Sequence, residues 1–253
     1  MKYLWLLVFL YVIAIIAFIV PLSLALEPAQ EKEYQRAKIL LKEGKPGDAQ
    51  YIFSKLAKGN PSDFKFRFNV IDTTIEQARV LKTNKNPRWK DKIYQAFGDL
   101  KSIYRANTSS PAIYLLFAKC YWVNERLRKA ERSLRKAFYF NPDYTDAFIF
   151  RGDMYFEETK KFKRYGPKSK GLMSKGKNSK SYGSNAKNSY EKALSGTDID
   201  TETKAMVYFK LGNTYYDFYK SENKAKEQWN KAFSIASESF WGKKAKERLS
   251  SLE

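Results

Sequence analysis

The sequence predicts an all-α protein built from repeated antiparallel helix pairs, and three observations carry that expectation. From Pro28 onward apolar residues recur three and four positions apart, the period of a helix face, and no stretch shows the alternation of a half-buried strand. Small and large residues return at the same offsets in several places along the chain. Turns rich in Pro, Gly and Asn separate the helical stretches, as at Lys45-Pro46-Gly47-Asp48 and Thr83-Asn84-Lys85-Asn86-Pro87.

The N-terminal segment comes first in the chain. Between Lys2 and Glu27 lie 24 residues, Tyr3 to Leu26, without a charge. A helix of that length, at about 1.5 Å per residue, crosses a hydrocarbon core of about 30 Å. Tyr3, Trp5, Phe9 and Tyr11 cluster at its start, as at a headgroup interface. Residues 1–26 are therefore read as a transmembrane anchor or a signal peptide. Ser23-Leu24-Ala25 has the form of a cleavage site, but the apolar run exceeds the usual signal-peptide core of about 7–15 residues, which favours an uncleaved anchor. Large domains translocate largely regardless of charge, and the repeat region is expected outside the cytoplasm, in the bacterial envelope.

The clearest helix pair covers residues 111 to 144. It reads Tyr114-x2-Phe117-Ala118-x2-Tyr121-x8-Ala130-x3-Leu134-x2-Ala137-x4-Pro142. The small residues let two antiparallel helices approach closely, the large ones fill the space to the next helix, and Pro142 stops the second helix. Residues 30 to 63 repeat the scheme as Ala37-x2-Leu40-x8-Ala49-x3-Phe53-x2-Leu56-x4-Pro61. A third copy, within 145–197, reads Phe148-x2-Arg151-Gly152-x2-Tyr155 and later Ala186-x3-Tyr190-x2-Ala193, with 30 residues between its halves instead of eight. A fourth, within 205–236, reads Tyr208-x2-Leu211-Gly212-x2-Tyr215-x9-Ala225-x3-Trp229-x2-Ala232, one residue long in its turn.

This pattern resembles the tetratricopeptide-repeat family. Residues 64–108 fit as a degenerate pair, with Phe64, Phe68, Ile71 and Ile75 on one helix and Ala96, Leu100 and Ile103 on the next. Residues 238–252, with Trp241, Ala245 and Leu249 on one side, form the polar capping helix that a solenoid needs. The resemblance implies a right-handed α-solenoid over residues 27–253, whose first helices line a groove that binds a protein partner. Fold likeness of this kind does not by itself fix function.

Composition narrows the chemistry. The chain contains no histidine, which removes the commonest general base, the commonest metal ligand and every Ser-His or Cys-His pair. The lone Cys120 lies in a helical stripe beside Tyr121 and Trp122 and reads as a small buried hydrophobe. No enzyme activity, cofactor or metal site is expected. The formal charge of +20 suggests an acidic partner, with A/T-rich codon usage as the competing explanation.

Two surfaces are candidates for function. The free side of each first helix offers Tyr34, Lys38 and Leu41; Leu115, Lys119 and Trp122; Ile149, Asp153 and Phe156; and Phe209, Asn213 and Tyr216. An apolar residue recurs seven positions apart with a polar one between, which suits an amphipathic helix or apolar strip of a partner protein. Family members that clamp a terminal carboxylate use Lys and Asn at these positions, and Asp153 departs from that set. The second candidate is the basic insertion 160–182, expected as a solvated loop, with Lys160, Lys161, Lys163, Arg164, Lys168, Lys170, Lys175, Lys177 and Lys180. It would suit anionic lipid or, with fewer interleaved aromatics than such sites use, nucleic acid.

Overall fold

The computed structural model describes residues 27–165, 179–196 and 199–252, and the N-terminal segment lies outside them. Among the described residues there are helices and turns and no strand. The helices are α1 Pro28–Lys42, α2 Pro46–Gly59, α3 Phe64–Thr83, α4 Trp89–Tyr104, α5 Pro111–Val123, α6 Leu127–Phe140, α7 Thr145–Tyr165, α8 Ser179–Leu194, α9 Thr201–Thr214, α10 Glu222–Ile235 and α11 Phe240–Ser250. Among the described residues no helix is long and apolar enough to cross a membrane.

The chain divides into two compact units at Thr73/Thr74, inside α3. In the first, α1 pairs with α2. Pro28 and Pro46 occupy first-turn positions, where a missing N–H leaves no bond unmade. Ala37 and Ala49 are fully buried and bring the two helices together around Phe53, Leu56 and Phe66.

In the second unit α5 pairs with α6, α7 with α8, and α9 with α10, while α11 lies on α10 and α9. One core runs from Tyr114 through Leu134, Met154 and Tyr190 to Leu211. Each fully buried aliphatic or aromatic side chain contributes about 1.5–3 kcal/mol relative to exposure. Ala118, Ala130 and Ala137 are fully buried, at the close approaches that the spacing predicts. In the two later pairs the small residue on the first helix is glycine. A Cβ on Gly152 would enter the Tyr190 ring, and one on Gly212 would meet the Trp229 ring.

Three first helices end in the same way. Gly44, Lys85 and Glu125 each adopt a left-handed backbone, with φ of 75°, 56° and 57°. The following amides, of Lys45, Asn86 and Arg126, donate back to the carbonyls of Leu40, Leu81 and Tyr121. This six-residue closure satisfies carbonyls that a helix end leaves unpaired. α9 ends differently: Tyr215–Tyr219 form a π turn before the left-handed Lys220. The extra residue in that repeat is absorbed by widening the last turn of the helix.

Candidate interaction site

The first helices α5, α7 and α9 position most of the predicted groove residues, and the structure sorts them by what else they must do. Leu115 and Ile149 are only 5% and 7% exposed and belong to the core. They do not line an open surface, which corrects the expectation for these two. α5 is apolar on nearly every side and packs against α4, α6 and α7, so its nominally free side is partly occupied by the next first helix.

Asp153 is a tie between pairs. The Tyr190 hydroxyl donates to Asp153 Oδ1 at 2.7 Å, and Lys210 Nζ of α9 donates to both carboxylate oxygens at 2.6–2.7 Å. The Lys210 and Asp153 side chains are 19% and 34% exposed, so the pair is partly screened. Burial, and then the Asp153 charge, push the Tyr190 pKa well above its ordinary value.

The last pair uses its predicted residues internally. Trp229 Nε1 donates to the Phe209 carbonyl at 3.3 Å and to Asn213 Oδ1 at 3.2 Å. The Tyr216 ring lies 5.7 Å from Trp229, and Phe209 lies 5.5 Å from Trp241 of α11. The capping helix therefore covers this end. In the first unit Tyr34 meets Phe53 and Phe66 edge-on, Leu41 borders the same cluster, and Lys38 extends from the exposed side with its Nζ 5.8 Å from the Tyr34 ring.

Lys119, Trp122 and Phe156 remain. Trp122 is half-buried and edge-on to Phe150 at 5.7 Å. Its Nε1 is covered and among the described residues has no acceptor, an unusual state for an indole donor. Lys161 Nζ lies 5.9 Å from the Trp122 ring. Phe156 rests 4.8 Å from Phe218, under Lys160 Nζ at 4.6 Å. Nearby charges are mixed. Arg79 of α3 pairs with Glu76 at 2.7 Å. Burial pulls the Arg79 pKa down, but Glu76 and then Glu157 and Asp153 of α7 more than offset it, leaving it raised.

The basic insertion begins later than expected. Lys160, Lys161, Lys163 and Arg164 are on α7, which continues to Tyr165, and Lys180 lies at the start of α8. All five are helical, so the loop part of the expectation fails for them. No Gly or Pro interrupts 160–165, whereas Gly166 and Pro167 follow at once, and cations suit the last turn of a helix. Lys163 Nζ donates to the Asp217 carbonyl at 2.7 Å, and Lys160 Nζ is 3.6 Å from the Asp217 carboxylate. Burial, then Lys220, lower the Lys163 pKa, with Asp217 opposing. Lys161 pairs with Glu158 at 2.8 Å. Lys168, Lys170, Lys175 and Lys177 lie outside the described residues.

Sequence reasoning missed the π turn that brings Asp217 and Phe218 to the end of α7, although the one-residue excess before Ala225 was its signal. Among the described residues no group of three or more His, Cys, Asp or Glu could hold a metal ion.

No protein-family model and no curated protein matches the sequence. Solved structures do. The thermophilic TPR protein TTC0263 of Thermus thermophilus aligns over 88% of this chain and 97% of its own, with a TM-score of 0.58 and 17% identity. A monomeric IFIT1 mutant solved with m7Gppp-AAAA aligns over 87% of this chain and 45% of its own, with a TM-score of 0.52 and 16% identity. Identity at this level speaks to fold alone. The described chain has the all-helical, tetratricopeptide-like fold of stacked helix pairs.

Proposed function

We propose that this chain is a non-catalytic scaffold that binds a segment of another protein along the strip of Lys119, Trp122 and Phe156. The observation that carries the reading is Trp122. Its ring is partly accessible, and among the described residues its N–H lacks an acceptor. An unmade hydrogen bond of a covered donor costs about 1–3 kcal/mol, which a partner carbonyl or carboxylate would relieve on displacing the cover. Half-buried Trp is also among the side chains that dominate protein interfaces. The mixed charges around it suit a partner of mixed character better than a carboxylate clamp would.

The uncharged segment Tyr3–Leu26 supports a tether that holds the scaffold in a bacterial envelope membrane, with the repeats outside the cytoplasm. A partner that binds only the folded scaffold stabilises it, so the two are expected to depend on each other for their levels. Binding of lipid or nucleic acid through residues 160–182 is the weaker reading, because Lys160, Lys161 and Lys163 already hold neighbouring groups.

Affinity capture from detergent-solubilised membranes tests the proposal, with the full chain and its Trp122→Ala variant as baits. One protein recovered by the wild type and lost with Trp122→Ala supports the strip. The same protein recovered by both baits removes Trp122 from the site. Recovery in the alkali-extractable fraction instead of the integral membrane fraction would remove the tether.

A further inference from the structure

The outer face of α6 is strongly basic. Its buried side, Leu127, Ala130, Ser133, Leu134 and Ala137, packs inward. The opposite side exposes Arg128, Lys129, Arg132, Arg135 and Lys136. The only acid within the helix, Glu131, faces Arg151 of α7 at 3.7 Å. Among the described residues Arg128, Arg132 and Arg135 make no ion pair. They stand at i, i+4 and i+7, one line about 10 Å long on a helix that rises 1.5 Å per residue. The same line ends at Tyr139, 81% exposed, with Phe140 beside it at 39%.

This is not the general lysine excess of the chain. Lysine outnumbers arginine 35 to 12, yet four arginines fall between Arg126 and Arg135. Guanidinium groups are weakly hydrated and fit phosphate oxygens with a planar fork. A Tyr and a Phe at the end of a cationic row match the level of a bilayer where headgroups meet acyl chains. A nucleic-acid strand would draw on a series of stacking rings along the row, whereas this face offers two, both at one end.

We infer that the outer face of α6 rests on an anionic phospholipid surface, with Arg128, Arg132 and Arg135 on lipid phosphates and Tyr139 and Phe140 at the interface. The 24 uncharged residues of Tyr3–Leu26 point to the same environment. α6 packs on α5 through its buried side, so its lipid-facing side is turned away from α5. The Trp122 strip then stays accessible to a protein partner, but the lipid contact does not require that partner.

The experiment uses the full chain with a fluorophore on Asp143→Cys, an exposed position just past the aromatic end of α6; the natural Cys120 is buried. The label is read in vesicles carrying lipid-borne quencher, made of phosphatidylcholine alone or with phosphatidylglycerol at roughly 1:3. Whether or not the N-terminal segment inserts, the label reports on α6. Quenching is expected in the anionic vesicles only, and at about 0.5 M NaCl, where the screening length is roughly 4 Å, it should disappear. Each Arg→Gln change at 128, 132 or 135 should weaken the contact roughly fivefold, equivalent to about 1 kcal/mol per basic residue at a charged surface. Equal quenching in both vesicle types, or quenching untouched by the triple Gln variant, overturns the inference. So does a label that ignores vesicles but responds to an added single-stranded oligonucleotide or to polyglutamate.

Discussion

The α5/α6 and α7/α8 pairs follow one spacing scheme but solve the close approach differently. In α5/α6 the small position is Ala118 and the facing large one Leu134, both fully buried, and the connecting turn is short. In α7/α8 the small position is Gly152 and the large one Tyr190, joined across 13 residues, 166–178. The larger ring consumes the room of a Cβ, and in return its hydroxyl reaches Asp153 and, through it, Lys210. What the two pairs share is the contact between helices. The connection is free to vary, because loop-closure entropy grows only slowly with length.

Gly152→Ala should break that comparison most severely. The new methyl enters the Tyr190 ring, and thermal or urea unfolding should show a loss of about 2–3 kcal/mol, the scale of an overpacked core. Adding Tyr190→Leu recreates the Ala-Leu arrangement of α5/α6. The double variant should then lose less than the sum of the single changes, whereas strict additivity would mean that the two side chains do not meet.

Asp153→Ala removes the acceptor that Tyr190 and Lys210 share. A loss of about 1–3 kcal/mol is expected, toward the low end because Asp153 is a third exposed. A neutral result would show that the tie between α7 and α9 contributes nothing. The Tyr190 hydroxyl adds a pH dependence. Its folded pKa is raised above its unfolded value near 10, so the neutral form stabilises the fold fully below that pH. The contribution is lost as pH rises further, by at most roughly 1.4 kcal/mol per pH unit. Tyr190→Phe should flatten that alkaline loss.

Smaller effects sharpen the picture. Lys85 holds a left-handed backbone that Gly44 adopts without a Cβ, so Lys85→Gly should stabilise by about 1 kcal/mol. Replacing residues 166–178 by a short Gly-Ser turn should change stability by less than about 1 kcal/mol. A large loss there would mean that the connection is part of the α7/α8 contact.

The helix pairs were readable because Ala, Gly and large residues must alternate at fixed offsets wherever two helices meet, and Ala118, Ala130 and Ala137 sit in the core where their spacing put them. The partner-facing side was harder to read. Leu115 and Ile149 have the same spacing as Trp122 and Phe156, but the former are buried and the latter half-exposed. Helical period gives a direction around one helix and says nothing of which neighbour arrives there. Phe209, Asn213 and Tyr216 were taken by Trp229 and the capping helix for the same reason. The reach of α7 to Tyr165 was legible in the absence of Gly or Pro before Gly166, a local signal outweighed by the density of lysines.

Photo-crosslinking from position 119 in native membranes tests the central claim most directly, with exposed Lys192 on α8 as the comparison position. A discrete adduct with one protein from position 119, absent from position 192 and lost when Trp122→Ala is added, is the predicted result. Equal adducts from both positions, or an adduct from position 119 that persists in the Trp122→Ala background, would contradict it.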